Sequence, residues 1–346
     1  MKIALCSSFV PFLKGGAKNI VEWLESALQE AGHQVERVYL PATYDTAGSL
    51  FPQMMAYRWI DLTDAVDRII CFRPPAHLIP HPQKILWFIH HLRAFYDLWD
   101  TQYRGFPDDG RHRGLREAMH AIDTAAFREA RRVFTNSQVV SDRIRTYNKL
   151  NSEVLYPPIY RPERFRCGSF SDEVVYLSRV EHHKRQHLLV EAMQYTTTGV
   201  KLRLSGECYM KEYAQELRVQ IAAARLENRV TFEDRWISES EKVEALADCL
   251  AAAYLPLDED SYGYPSLEAS HASKPVLTTT DSGGVVELVK DGCNGLVVDP
   301  DPVALAEAMD RLYLDREATR RMGQNARARL GVLKISWPHV IERLLS

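Results

Sequence analysis

Short apolar runs alternate with amphipathic stretches along almost the whole chain. Residues 2–6 are apolar, and 17–31 place Ile20, Trp23, Leu24, Ala27 and Leu28 at helical spacing before Gly32. This predicts a strand, then a helix closed by a glycine C-cap. Further strands are predicted at 34–40, 68–72, 84–90 and 132–136, with helices at 117–131 and 139–149. Pro74, Pro75, Pro80 and Pro82 mark a stiff connection, and the polar, glycine-containing stretch 104–111 reads as a mobile surface loop. The pattern breaks around Pro157, Pro158 and Pro162, a linker signal. It then restarts, with strands at 173–177, 201–205, 229–232, 251–255, 275–278 and 295–298 and helices at 185–194, 211–224, 238–249, 285–290 and 302–312. Strands alternating with helices predict parallel sheets covered on both faces, here two doubly wound α/β domains in tandem. Ligands of such sheets gather at the carboxyl ends of strands, so the expected site is the cleft between the two domains.

Composition narrows this only a little. The chain has 346 residues, 46 % of them hydrophobic, and a net charge of -3, which suits two folded domains and makes no case for nucleic-acid binding. Between Arg104 and Lys149 there are ten Lys/Arg against six Asp/Glu, a net of +4 (10 − 6). Solvated helix faces explain that cluster, and contact of Arg111, Arg113 and Arg116 with an anionic lipid surface is the other reading. Six scattered cysteines without a CxxC pair, an N-terminus that enters directly as a strand, and no long apolar run predict a cytoplasmic protein with at most peripheral membrane contact.

The most informative stretch is Asp260-Ser261-Tyr262-Gly263-Tyr264-Pro265-Ser266-Leu267-Glu268. Gly263 permits a tight turn, Pro265 suits the start of a helix, and a helix N-terminus can hold phosphate. The flanking carboxylates, Asp260 and Glu268, could hold sugar hydroxyls, which together suggests a sugar nucleotide. Each also has a plainer reading, Asp260 as a turn residue and Glu268 as a helix-dipole partner. Arg179 and Lys184 bracket the loop after the strand at 173–177, where two cations could neutralise a diphosphate or simply pair with Glu181. Lys14-Gly15-Gly16-Ala17 is either a phosphate contact or a simple turn, and is not a dinucleotide fingerprint. His90 and His91 end a strand, and at most one of them can face a site there. His182 and His183 lack a third ligand at helical spacing, so no metal centre is expected. Asp281-Ser282-Gly283-Gly284 with Glu287 is a further strand-to-helix turn, open to either capping or ligand contact.

In this order the motifs resemble the retaining glycosyltransferases of family 4, over nearly the whole chain. The family's Glu, seven residues, Glu, Ala pattern falls on Asp260, Glu268 and Ala269, and its Arg and Lys, five apart, fall on Arg179 and Lys184. Its glycine pair matches Gly15 and Gly16. The runs from Gly283 to Val289 and from Asn294 to Val297, and the ending from Ser336 to Val340, are similar to family segments. The resemblance implies the GT-B fold, two Rossmann-like domains facing across a cleft. The expected domains are 1–157, with a crossover helix at 337–346, and 158–336. It implies that Arg179 and Lys184 stabilise the departing diphosphate, helped by Gly15, Gly16 and the backbone of Gly263, Tyr264, Pro265, Ser266 and Leu267. Glu268 would hold the ribose hydroxyls, Asp260 the transferred sugar, and His90 would sit near sugar and acceptor. Neither a cofactor nor an obligatory metal is implied. The donor is a nucleotide-diphosphate sugar of unspecified base, and the acceptor a glycan, a lipid-linked glycan or a small molecule. Asp260 is one methylene shorter than the family's Glu. The loop sits closer to the sugar, or Glu259 takes part of the role, or activity is reduced. The alternatives to transfer are a sugar-nucleotide epimerase or hydrolase of the same fold, and a non-catalytic sugar-nucleotide-binding protein.

Overall fold

The computed structural model describes residues 1–10, 16–42 and 46–346. It divides into two compact units, 1–160 with 335–346 and 161–334. The boundary therefore falls three residues later than the prolines at 157 and 158 suggest, because Ile159 still serves the first unit. Its carbonyl accepts a hydrogen bond from the Trp337 indole at 2.9 Å.

The first unit carries strands β1 (Lys2–Phe9), β2 (Gln34–Pro41), β3 (Arg68–Cys71), β4 (Lys84–Phe88), β5 (Arg132–Thr135) and β6 (Glu153–Val154). They form one sheet in the order β2-β1-β3-β4-β5-β6, and every pairing is parallel. Helix α1 (Gly16–Glu30) buries Ile20, Val21, Leu24, Ala27 and Leu28, and Gly32 follows it with φ 86°. Each fully buried leucine of this kind contributes roughly 1.5–3 kcal/mol. Helix α12 (Trp337–Leu345) closes the same cluster with Val340 and Leu344.

Two features of this unit depart from the sequence reading. Helix α2 (Ala47–Arg58) lies where no element was predicted. Its apolar residues do not repeat at helical spacing, and Pro52 lies inside it. Helix α3 spans Gly110–Arg128 and so takes up the end of the stretch read as a surface loop. Asp109 caps it by accepting from the His112 amide at 2.9 Å. Helix α4 (Gln138–Arg143) then runs into a wider π turn.

The second unit repeats the plan with β7 (Glu173–Leu177), β8 (Lys201–Ser205), β9 (Val230–Glu233), β10 (Ala251–Ala253), β11 (Val276–Thr279) and β12 (Gly295–Val298). Their order is β12-β11-β10-β7-β8-β9, again parallel throughout. The strands are flanked by α5 (Gln186–Ala192), α6 (Lys211–Ala223), α7 (Glu239–Asp248), α8 (Tyr264–His271), α9 (Val285–Leu288), α10 (Pro302–Leu314) and α11 (Arg316–Val332). Strand order reverses between β7 and β10, so the loops that leave these two strands diverge and expose a crevice at their carboxyl ends. Arg179 and Lys184 lie on one of these loops, and Glu259 and Asp260 on the other.

Candidate functional site

The loop after β7 buries the lysine that sequence reading singled out. A short 3₁₀ turn, His182–Lys184, precedes α5 and leaves Lys184 only 6 % exposed. Its Nζ donates to the Tyr254 hydroxyl at 2.8 Å and forms a close ion pair with Glu259. Burial alone would raise the Glu259 carboxyl. The Lys184 ammonium and the Tyr254 hydroxyl outweigh that and hold it below its ordinary range. The carboxylate paired with Lys184 is Glu259. Asp260 is half-buried one residue further on.

Arg179 behaves differently. Its side chain is 39 % exposed and pairs with Glu181 at 2.7 Å, the partnership left open by the sequence. Arg185, unremarked in the sequence, is the residue that ties the crevice together. It sits at φ 55°, 9 % exposed, and grips both oxygens of Asp281 at 2.7 Å. It also donates to Thr279 and to the carbonyls of Leu255 and Pro256. Nothing in a Lys-Arg pair tells which cation serves the scaffold.

The turn into α8 is built on close backbone approach. Gly263 has φ 69°, and a Cβ there would lie 2.2 Å from the Tyr254 ring. Gly283, at φ 59°, would place a Cβ 2.3 Å from the Glu259 carbonyl, and the Gly284 amide donates to that carbonyl at 2.8 Å. The turn at 281–284 therefore braces the Glu259 loop. Tyr264 and Pro265 open α8, whose first-turn amides lack intrahelical acceptors. Ser266, Leu267 and Glu268 are buried, and the Ser266 hydroxyl has no partner among the described residues.

Glu268 is held from α7. Lys242 Nζ lies 2.9 Å from its Oε1 and 2.8 Å from Glu239 Oε1. Burial pushes the Glu268 carboxyl up, and Lys242 works against that rise. A separate groove of about 320 Å³ in this unit is lined by, among others, Ser205, Glu233, Arg235, Ile237 and Glu241.

In the first unit β4 ends at Phe88, so both histidines lie beyond the strand. His91 is buried, packs tilted against the Tyr96 ring at 4.1 Å between centroids, and bonds Asn148 Oδ1 at 2.9 Å. It is held beside a buried network in which Asp123 binds both His77 (2.9 Å) and Tyr96 (2.6 Å). His90 is half-buried, and its Nδ1 lies 2.7 Å from the His91 carbonyl, so that nitrogen carries the proton. Burial, then Arg73, push its pKa down to about 3, so the ring is neutral near pH 7. Gly15 and Lys14 lie outside the described residues, while Gly16 opens α1 at the surface.

Of the three arginines considered for a lipid surface, only Arg111 is both exposed and without an ion pair among the described residues. Arg113 pairs with Asp108 at 2.7 Å. Arg116 donates to the Phe95 carbonyl and lies over the Trp99 ring at 4.9 Å. His182 and His183 point to different partners, Glu216 and Glu181.

Residues 169–329 match the family model for glycosyl transferases group 1. The second unit is a group 1 glycosyl transferase domain. The alpha-1,3/1,6-mannosyltransferase ALG2 of Mus musculus is 25 % identical over 299 residues, covering 76 % of this chain and 68 % of that protein. Glycogen synthase of Mycobacterium tuberculosis is 28 % identical over 275 residues, covering 70 % of this chain and 62 % of that protein. Anabaena Alr3699/HepE, solved in complex with UDP and glucose, superposes with a TM-score of 0.71 at 18 % identity over 99 % of this chain and 98 % of that one. With two parallel six-stranded sheets flanked by helices, the glycosyl transferase has the GT-B fold.

Proposed function

We propose that this glycosyl transferase moves a sugar, with retention and without an obligatory metal, from a nucleoside diphosphate to a hydroxyl of a glycan, a lipid-linked glycan or a small acceptor. The observation that carries this reading is the buried Lys184 at the strand-order reversal of the second unit, paired with Glu259 on the loop that leads into α8. A departing nucleoside diphosphate gains negative charge, and a fixed ammonium in a water-poor crevice stabilises that charge far better than one in bulk water. Among the described residues Lys184 commits two of its three N–H donors, to Tyr254 and Glu259, which leaves one for a phosphate oxygen. Arg179 is exposed enough to exchange Glu181 for phosphate. Two cations and the first-turn amides of α8 then do the work a divalent ion does elsewhere.

Glu268 accepts from the ribose hydroxyls and Asp260 from the transferred sugar. The acceptor attacks from the face the leaving group departs, and a leaving phosphate oxygen takes its proton. On the first unit, His90 offers a neutral ring to a sugar or acceptor hydroxyl. The names of the mouse and mycobacterial relatives support sugar transfer, and the UDP and glucose of the Anabaena complex support the donor class. We place the enzyme in the cytoplasm, with any membrane contact peripheral.

The test is a thermal-shift panel of UDP, GDP, ADP and their sugars, followed by transfer assays with and without a chelator and by NMR of the anomeric product. One nucleotide series is expected to raise the melting temperature. Lys184→Ala should lower kcat by at least about 10²-fold. Near-normal turnover of that variant removes the leaving-group role. Turnover without an acceptor reassigns the protein to hydrolysis.

A further inference from the structure

Helix α7 turns a lysine toward the protein interior. Lys242 is 17 % exposed in its side chain and lies between Glu239 and Glu268. Glu239 is held in turn by Arg164, on the turn Pro162–Arg164, at 2.8 Å. Four charges thus alternate along one line, Arg164, Glu239, Lys242, Glu268. The outer pair is half-exposed and contributes little to stability. Of the inner pair, Glu268 is buried and Lys242 half-buried. Glu268 has one oxygen on Lys242, and the other oxygen meets no protein donor among the described residues.

A largely buried lysine–glutamate pair is a poor device for joining two helices, because apolar side chains of the same size do that as well or better. The second Glu268 oxygen is not sealed from solvent, so a ligand can reach it. Both facts make sense together if the open oxygen has a ligand.

We propose that Lys242 is a positioning residue: it anchors and charge-balances one oxygen of Glu268 so that the other accepts hydrogen bonds from the ribose of the donor. This rests on the donor reading above. The groups that face Glu268 are Lys242 and Glu239 from α7, Arg164 from the preceding turn, and Tyr264 from its own helix. Lys242 and Arg164 favour the carboxylate, whereas burial and Glu239 oppose it. Without Lys242 the balance moves toward the protonated acid, which accepts hydrogen bonds poorly. Donor binding would then fail at a higher pH as acid is added.

The experiment is calorimetric titration of whichever nucleoside diphosphate binds, and of its 2′-deoxy analogue, between pH 5 and 8. It compares the wild type, Lys242→Gln and Lys242→Arg. The wild type should prefer the ribose form by about 10-fold, the scale of a hydrogen bond to a charged group. Lys242→Gln should weaken the ribose form by about 10-fold or more while moving the deoxy form by no more than about 2-fold. Its low-pH loss of binding should shift upward by about one unit or more, and Lys242→Arg should restore most of the preference. Equal losses for both ligands, or an unchanged pH profile, overturn the proposal and leave Lys242 a packing residue. Should Lys242→Gln not fold, failure of Lys242→Arg to keep the ribose preference overturns it as well. No binding of any nucleoside diphosphate to the wild type overturns the donor reading, and this proposal with it.

Discussion

Glu259 confronts Lys184 with a choice between two anions. The ammonium is compensated by a carboxylate in the unliganded protein, and a diphosphate must share or displace it. Glu259→Gln removes the competing charge but keeps a hydrogen-bond acceptor. The variant should lose stability, because a buried cation is left with only a neutral partner. Breaking a fully buried pair costs about 3–5 kcal/mol, and the partly exposed Glu259 places this case below that range. The same variant should bind nucleoside diphosphate about 10-fold more tightly, the scale of one charged hydrogen bond. Its melting temperature should therefore rise further on adding the ligand than that of the wild type. In a Lys184→Met background the affinity gain should vanish. Weaker binding by Glu259→Gln in a lysine-bearing protein would instead mean that Glu259 itself holds the donor. Of these two residues only the lysine was assigned by spacing. Glu259 appeared there as an out-of-register substitute for Asp260, because one residue of phase along a loop has no periodic signature. Lys242 was invisible for a related reason. A lysine in an amphipathic helix reads as solvent-facing until the neighbouring helix is in place.

At the scale of elements, the crevice is held by turns more than by helices. Gly263 turns the chain at a φ that side chains avoid and lets the Tyr254 ring lie against the backbone. Gly263→Ala should cost roughly 1–3 kcal/mol in urea unfolding, from the strained conformation together with the clash. It should also lower activity, because the Tyr254 hydroxyl it displaces is a partner of Lys184. An unchanged urea midpoint would show that the turn relaxes freely. This turn was legible in advance, as Gly-Tyr-Pro before an apolar stretch has a mechanical reading. The parallel strands were legible too, since β7, β8 and β12 are short apolar runs bounded by loops and two of their neighbours, β9 and β11, differ by a single residue at each end. Helix α2 was not, because its apolar residues surround the axis and Pro52 argued against a helix. Helix α11 was missed for the opposite reason. It is rich in arginine, and its buried stripe of Thr319, Met322, Gly323, Ala326 and Leu330 includes a polar residue and two small ones, so it does not stand out as apolar. The buried cluster of His77, His91, Tyr96 and Asp123 was equally unreadable. Its members come from three separate segments, and only the tertiary fold brings them together.

Over the whole molecule, buried neutral histidines set how the fold responds to acid. Burial lowers His91 of the first unit to about 4, against the opposing pull of Asp123 and Asn148. Burial, then Arg327, lower His271 of the second unit to about 3. A free histidine titrates near 6.5, so below that pH the unfolded chain takes up protons that the native chain refuses. Stability contributed by these rings is complete above about 6.5 and is lost as pH falls toward their native values. Each ring can remove at most about 1.4 kcal/mol per pH unit in that window. The paired carboxylates Asp123, Glu259 and Asp281 also titrate below their ordinary range. Their loss begins only as pH approaches about 4.5, so the two effects occupy different parts of an acid titration. The melting temperature should therefore already decline between pH 6.5 and 5, before the carboxylates titrate. The two units need not unfold together, so each transition is followed separately. His271→Gln should flatten the acid limb of the second unit's transition and leave that of the first unused by the change. If the limb stays equally steep in that variant, other groups carry the response and the buried ring of His271 does not.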